Sequence, residues 1–97
     1  MWELLAAERT VETEINQPCQ IRYYILVEEA EAAGNLLCET YGVRIATARD
    51  GKETHSESMR QLTFCLSKID RLVGVLADCL VTPAALQDVV EDWVATG

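Results

Sequence analysis

The chain carries 97 residues, 49% hydrophobic and 25% charged, and its sixteen acidic side chains outnumber eight basic ones for a net charge of −8. That length gives one domain over residues 1–97, and Ile, Leu and Val spread along the whole chain exclude disorder. Lys and Arg are what neutralise a phosphate backbone, so this balance excludes direct binding of DNA, RNA or an anionic membrane, leaving either plain solubility or a partner with a basic surface.

The opening run Met1-Trp2-Glu3-Leu4-Leu5-Ala6-Ala7-Glu8-Arg9 has no basic start and is cut by Glu3 and Glu8, so it does not read as a secretory leader. No apolar run approaches the roughly 20 residues of a membrane-spanning helix. A cytoplasmic location is expected. A first strand is expected over Ala7–Ile15, with Val11, Thr13 and Ile15 on one face and Asn16-Gln17-Pro18 ending it. Ile21–Val27 follows as a second strand, with Ile21, Tyr23, Ile25 and Val27 on one face by period two. Glu28–Asn35 reads as a polar link closing in a turn at Gly34-Asn35. Leu37–Thr47 alternates as a third strand. Leu37, Tyr41, Val43 and Ile45 point one way, interrupted by Glu39, while Thr40 and Arg44 point the other. Gly42 inside that run marks a bulge or a close backbone approach.

Asp50-Gly51 is a hairpin turn. Two readings stand open after it. Met59, Leu62, Leu66, Ile69, Val73, Leu76 and Leu80 recur at gaps of four and three, which suits one long amphipathic helix from about Ser56. A returning fourth strand over Glu53–Leu62, with the helix starting at Thr63, is the alternative, and the hairpin turn favours it because a turn needs a partner strand. Ser67-x-x-Asp70 resembles a capping box. Ile69, Leu72, Val73, Leu76 and Leu80 then form an apolar helical stripe ending at Val81, with Gly74 placed to allow close packing. Thr82 caps a last helix with Pro83 in its first turn, and Leu86, Val89, Val90 and Trp93 form its buried side. The fold expected is α+β, a three- to four-stranded antiparallel sheet covered on one face by two C-terminal helices.

An aromatic strand, then Tyr41-Gly42-Val43-Arg44-Ile45, a helix and Val81-Thr82-Pro83-x-x-Leu86-x-Asp88-Val89-Val90-Glu91-Asp92 resembles a family of short uncharacterised bacterial proteins. These occur in clostridia and related Gram-positive anaerobes, often on mobile elements. The resemblance covers Ile21–Val94 and rests chiefly on the Thr82–Asp92 run. It implies a bacterial cytosolic setting and a role linked to mobile DNA, and it carries no catalytic residues across. The chain departs from the family at Phe64-Cys65-Leu66, where polar residues are usual.

Catalytic chemistry is weakly represented. The one histidine, His55, lies among carboxylates in Glu53-Thr54-His55-Ser56-Glu57, the pattern of a solvated residue. Cys19, Cys38, Cys65 and Cys79 are far apart without a Cys-x-x-Cys pair, which reads as small buried hydrophobes rather than a zinc site. No phosphate-binding glycine loop is present. No cofactor or metal is expected. Two carboxylate clusters stand out, Glu28, Glu29 and Glu31 in the link and Asp88, Glu91 and Asp92 along one helical turn. Either is a solvated face or a contact for a Lys- or Arg-rich partner. The function expected is therefore that of a small acidic, non-enzymatic protein that binds another protein. One version is an inhibitor seated in the channel of a nucleic-acid-handling enzyme, as anti-CRISPR and DNA-mimic proteins are. Apolar residues around Phe64 and Trp2 leave pairing of two copies as a further option. The alternative is a small enzyme with a Cys/His or carboxylate site that its pattern does not reveal.

Overall fold

Each strand that the alternation predicts forms. In the computed structural model, which describes residues 1–12, 18–32, 34 and 36–96, the elements are β1 (Trp2–Glu12), β2 (Pro18–Ala32), β3 (Leu36–Arg49), β4 (Lys52–Thr63), α1 (Leu66–Asp78), a single 3-10 turn (Pro83–Ala85) and α2 (Leu86–Thr96). The strands pair antiparallel in the order β1-β2-β3-β4. The α+β architecture is as expected, an open four-stranded sheet with two C-terminal helices. Between the two readings of Lys52–Thr63 the strand is correct. Met59 and Leu62 share a spacing with the α1 stripe because they pack on the same core from the sheet, not from a helix.

Three boundaries differ from expectation. β1 begins at Trp2 rather than Ala7, and its expected continuation through Thr13 and Ile15 lies outside the described residues, as do Asn16, Gln17 and Asn35. Glu28–Ala32 is not a link but the end of β2, hydrogen-bonded to Leu36–Thr40 of β3. Carboxylates and alanine have poor strand propensity, and the pairing overrides it. α1 starts at Leu66 with Cys65 at its N-cap, so Ser67-x-x-Asp70 lies within the helix and is not its cap.

The core sits between the sheet and the helices. Ile21, Tyr23, Ile25 and Val27 of β2 and Val43 and Ile45 of β3 meet Ile69, Leu72, Val73 and Leu76 of α1 and Leu86 and Val90 of α2. Each such aliphatic or aromatic side chain contributes about 1.5–3 kcal/mol on burial. Tyr23 is fully buried, and its hydroxyl donates a 3.0 Å hydrogen bond to the carbonyl of Val81. That bond ties the centre of the sheet to the α1–α2 connection.

Backbone geometry explains the corners. Asp50 (φ 53°) and Gly51 (φ 77°) both take left-handed values, as a two-residue hairpin between Arg49 and Lys52 requires. Gly42 faces an irregularity in β4 where Gln61 has φ 54°, and a Cβ there would lie 2.3 Å from the Met59 carbonyl oxygen and 2.8 Å from the Arg60 Cα. Both the bulge and the close approach anticipated at Gly42 are present. α1 ends in a Schellman motif, with Leu80 N–H bonded to Ala77 O and Val81 N–H to Leu76 O. Leu80, expected in the buried stripe, instead occupies the left-handed position (φ 52°) and is half exposed. Gly74 is exposed with nothing within 4 Å of where a Cβ would be, so it serves no close packing.

Candidate functional site

The acidic residues sort into two groups by what they touch. On the sheet face away from the helices, the basic side chains are already engaged. Arg44 of β3 lies 4.3 Å over the Tyr24 ring and binds Glu3 of β1 through both ends of its guanidinium, at 2.7 and 3.2 Å. It also binds Glu53 and, at 3.0 Å, Ser56 of β4. Burial opposes the charge on Arg44, and the bonds to Glu3 and Glu53 outweigh it, leaving its pKa above the ordinary value. Arg22 pairs with Glu8 at 3.1 Å. Arg60 forms a fork with Glu28 at 2.5 and 2.7 Å, joined by Gln61 at 3.4 Å. The Arg60 hydrogen bonds hold the Glu28 carboxyl below the usual range. Between them these interactions link all four strands, on the sheet face where Ala46 and Ala48 are buried.

Glu28 is thus a buried, paired residue and not part of a free cluster. Side chains alternate along a strand, so Glu29 and Glu31 point to the opposite, helix-side face. There Glu29 stands directly across from Glu39 of β3, and Glu31 across from Leu37. Glu29, Glu31 and Glu39 are all exposed, and among the described residues no ion pair reaches any of them. Residues 28–41 contain no Lys, Arg or His. Tyr41 donates to Glu39 at 2.9 Å, and that bond raises the phenol pKa. Glu39 appears in the sequence only as an interruption of an apolar row. Extending β2 and β3 symmetrically about Gly34 would have placed it beside Glu29.

The second predicted cluster lies on α2. Asp88 and Glu91 are exposed, Asp88 in the first turn where it complements the helix dipole, and Gln87 donates to Glu91 at 3.0 Å. Asp92 is likewise exposed. The two predicted clusters thus stand on different elements, Glu29 and Glu31 on β2 and Asp88, Glu91 and Asp92 on α2.

Apolar side chains accompany the first surface. The register sets Trp2, Val27, Tyr41 and Thr63 in one line across the sheet on the helix side, with Leu4, Ile25, Val43 and Met59 in the next. Trp2 and Leu4 remain 47% and 49% exposed, and neither belongs to the core. Phe64, 65% exposed, borders a groove of about 470 Å³ with Cys38, Glu39 and Tyr41.

The remaining candidates are dispersed. His55 faces Glu57 across 3.7 Å on exposed β4. All four cysteines are free thiols, and the burial expected for Cys65 and Cys79 is not found. Both sit at the ends of α1 rather than within its stripe, where the chain emerges into solvent. The Cys65 thiol is pulled below its ordinary value by the Ser67 hydroxyl and by the Lys68 backbone N–H. Among the described residues no group of three or more His, Cys, Asp or Glu is placed to hold a metal ion, and no helix is long and apolar enough to cross a membrane.

Compared with known proteins, the chain matches a family of unknown function (DUF6514) over residues 2–96 and belongs to that family. The match extends further toward the N-terminus than the run of motifs beginning at Ile21. No curated protein and no solved structure matches it.

Proposed function

We propose that this member of the family is a non-enzymatic protein-binding domain whose acidic surface engages a partner with a basic surface. The observation that supports this reading most is Glu29 opposite Glu39. Like charges directly across a strand pair destabilise it, and among the described residues no cation pairs with either, only the Tyr41 hydroxyl donating to Glu39. The same chain places Glu3, Glu8, Glu28 and Glu53 against arginines, so the unpaired row is not a shortage of such pairing elsewhere. Glu29 and Glu31 on the sheet and Asp88, Glu91 and Asp92 on α2 are the exposed acidic side chains that would face the partner. In its narrower form the reading is an inhibitor of a nucleic-acid-handling enzyme in a bacterial, mobile-element setting, which the net charge and the family resemblance favour.

The test is affinity capture of the tagged chain from bacterial lysate at low and high salt, with bound proteins identified by mass spectrometry. A basic partner held at low salt and released at high salt supports the reading. Recovery of nothing beyond what a chain with Glu29, Glu31, Asp88, Glu91 and Asp92 neutralised retains would remove it. A nucleic-acid enzyme among the captured proteins, inhibited by the chain and relieved by excess nucleic acid, supports the narrower form.

A further inference from the structure

β4 is an outer strand of the sheet: one side of its backbone pairs with β3, and no strand of the chain pairs with the other. Such an edge presents N–H and C=O groups of alternate residues. Among the described residues no turn, loop or cap backbone bond engages them. A cavity of about 490 Å³ is lined on one side by Glu57, Ser58, Met59 and Arg60 and on the other by Pro83, Ala84, Leu86 and Gln87. A cavity over one face of a strand meets alternate side chains. This one meets four residues in succession and none of β3, so it runs beside the outer edge of β4. Four strand residues span roughly 13 Å. Met59 stands opposite Val43 and Glu57 opposite Ile45, and both partners belong to the core, so Met59 and Glu57 share the helix-side face. Met59 is half-buried, and Pro83 and Leu86 on the facing wall are buried. Glu57 is exposed, with His55 at 3.7 Å as its ion partner among the described residues. Arg60, the one cation in the lining, is held by Glu28.

Resting on the protein-binding reading above, we propose that this groove receives an extended segment of the partner protein, which adds to β4 as a fifth strand. Main-chain hydrogen bonds to the open edge hold such a segment, and its alternate side chains decide which sequence fits. Two successive helix-side positions of the added strand fall beside Met59 and Glu57. The first takes an apolar side chain, against Met59, Pro83 and Leu86. The second takes Lys or Arg, in a cross-strand pair of opposite charge with Glu57. The chemistry selected is therefore an extended run with an apolar and a basic residue two positions apart. Charge complementarity extends past the groove, since Asp88 and Glu91 are exposed on the same helix as Gln87. A second copy of this chain, with its net charge of −8, brings the wrong sign.

The test titrates the isotope-labelled full chain with the peptide Thr-Lys-Thr-Val-Thr-Lys-Thr, followed by amide NMR at about 50 mM salt. The peptide reads the same in both directions, so it probes both strand senses. Amide shifts are expected to centre on Glu57–Arg60 and Ala84–Gln87. Methylating the backbone nitrogens of either the Thr set or the Lys and Val set blocks one edge of the peptide, so one set abolishes binding and the other leaves it. Glu57→Lys is expected to weaken binding about tenfold, and a peptide with Glu in place of both Lys to recover it on that variant. Ala84→Trp, which fills the groove from its helix side, is expected to block both peptides. Circular dichroism verifies that the variants fold, and Glu57→Lys, at an exposed position, carries the test if Ala84→Trp does not. No shift at those amides by about 2 mM peptide, equal effects of the two methylation sets, or failure of the charge swap would overturn the proposal. Shifts centred on β1 would overturn it by placing the segment on the opposite edge. Self-association of the free chain in sedimentation equilibrium, abolished by Glu57→Lys, would overturn it by making a second copy the occupant. Each of these outcomes leaves the protein-binding reading standing, since lysate capture judges that separately.

Discussion

Replacing Tyr23 by Phe removes one oxygen from the centre of the core and leaves the ring in place. Tyr23 is fully buried and its hydroxyl donates to Val81 O at 3.0 Å. Without that donor the Val81 carbonyl loses its partner in a dry site, which costs about 1–2 kcal/mol near neutral pH. The pH dependence sharpens the test. Burial pushes the Tyr23 phenol up from its ordinary 10.0 to about 12. Below pH 10 both folded and unfolded chains hold this proton, so its contribution is complete. Between about 10 and 12 the unfolded chain releases the proton and the folded one keeps it, so stability falls as pH rises. At pH near 11 the loss is roughly 1.4 kcal/mol, one pKa unit's worth. Tyr23→Phe has no such group and escapes this loss. Urea unfolding of both chains in reductant, followed by circular dichroism, should show wild type ahead by about 1–2 kcal/mol at pH near 7 and the two nearly level at pH near 11. A difference that stays constant across that range would refute the claim that Tyr23 is buried, protonated and bonded to the helix connection.

Gly42→Ala should destabilise by at least about 3 kcal/mol in the same urea assay, because the new methyl meets backbone of Met59 and Arg60 that cannot swing aside; a loss under about 1 kcal/mol would mean that β4 has no such bulge there. Leu80→Gly should raise stability by about 0.5–1 kcal/mol, since a half-exposed leucine holds the left-handed Schellman position that glycine fills without strain. A fall in melting temperature for that variant would contradict the motif.

Much of the fold was readable because local rules agreed with one another. The Ile21–Val27 and Val43–Ile45 rows were visible by alternation, and Asp50-Gly51 both made the turn and required β4 to return. Thr82-Pro83 marked the last helix, although the Thr82 side chain makes no cap bond and Pro83 opens a 3-10 turn first. What failed was whatever depends on the sheet as a whole. Glu28–Ala32 looks like a linker until its pairing with Leu36–Thr40 is known, and with it went the facing of Glu28. A run of three glutamates close in sequence is split by the strand pleat: Glu28 turns to Arg60, thirty-two residues away, and Glu29 to Glu39. Cysteine burial failed at Cys65 and Cys79 because the apolar period continues past the points where the helix stops.

The strand order has a consequence for how the chain is made. Every strand pairs with its neighbour in sequence, so each hairpin can close as soon as its second strand is synthesised, without waiting for a distant segment. The helices come last. Until Ile69–Leu76 and then Leu86–Val90 have emerged, the sheet holds Ile21, Tyr23, Ile25, Val43 and Ile45 open to water on a wide flat surface. A nascent or truncated chain lacking its final third is therefore a sheet with one apolar face and two unpaired edges, the form most prone to stick to its own kind.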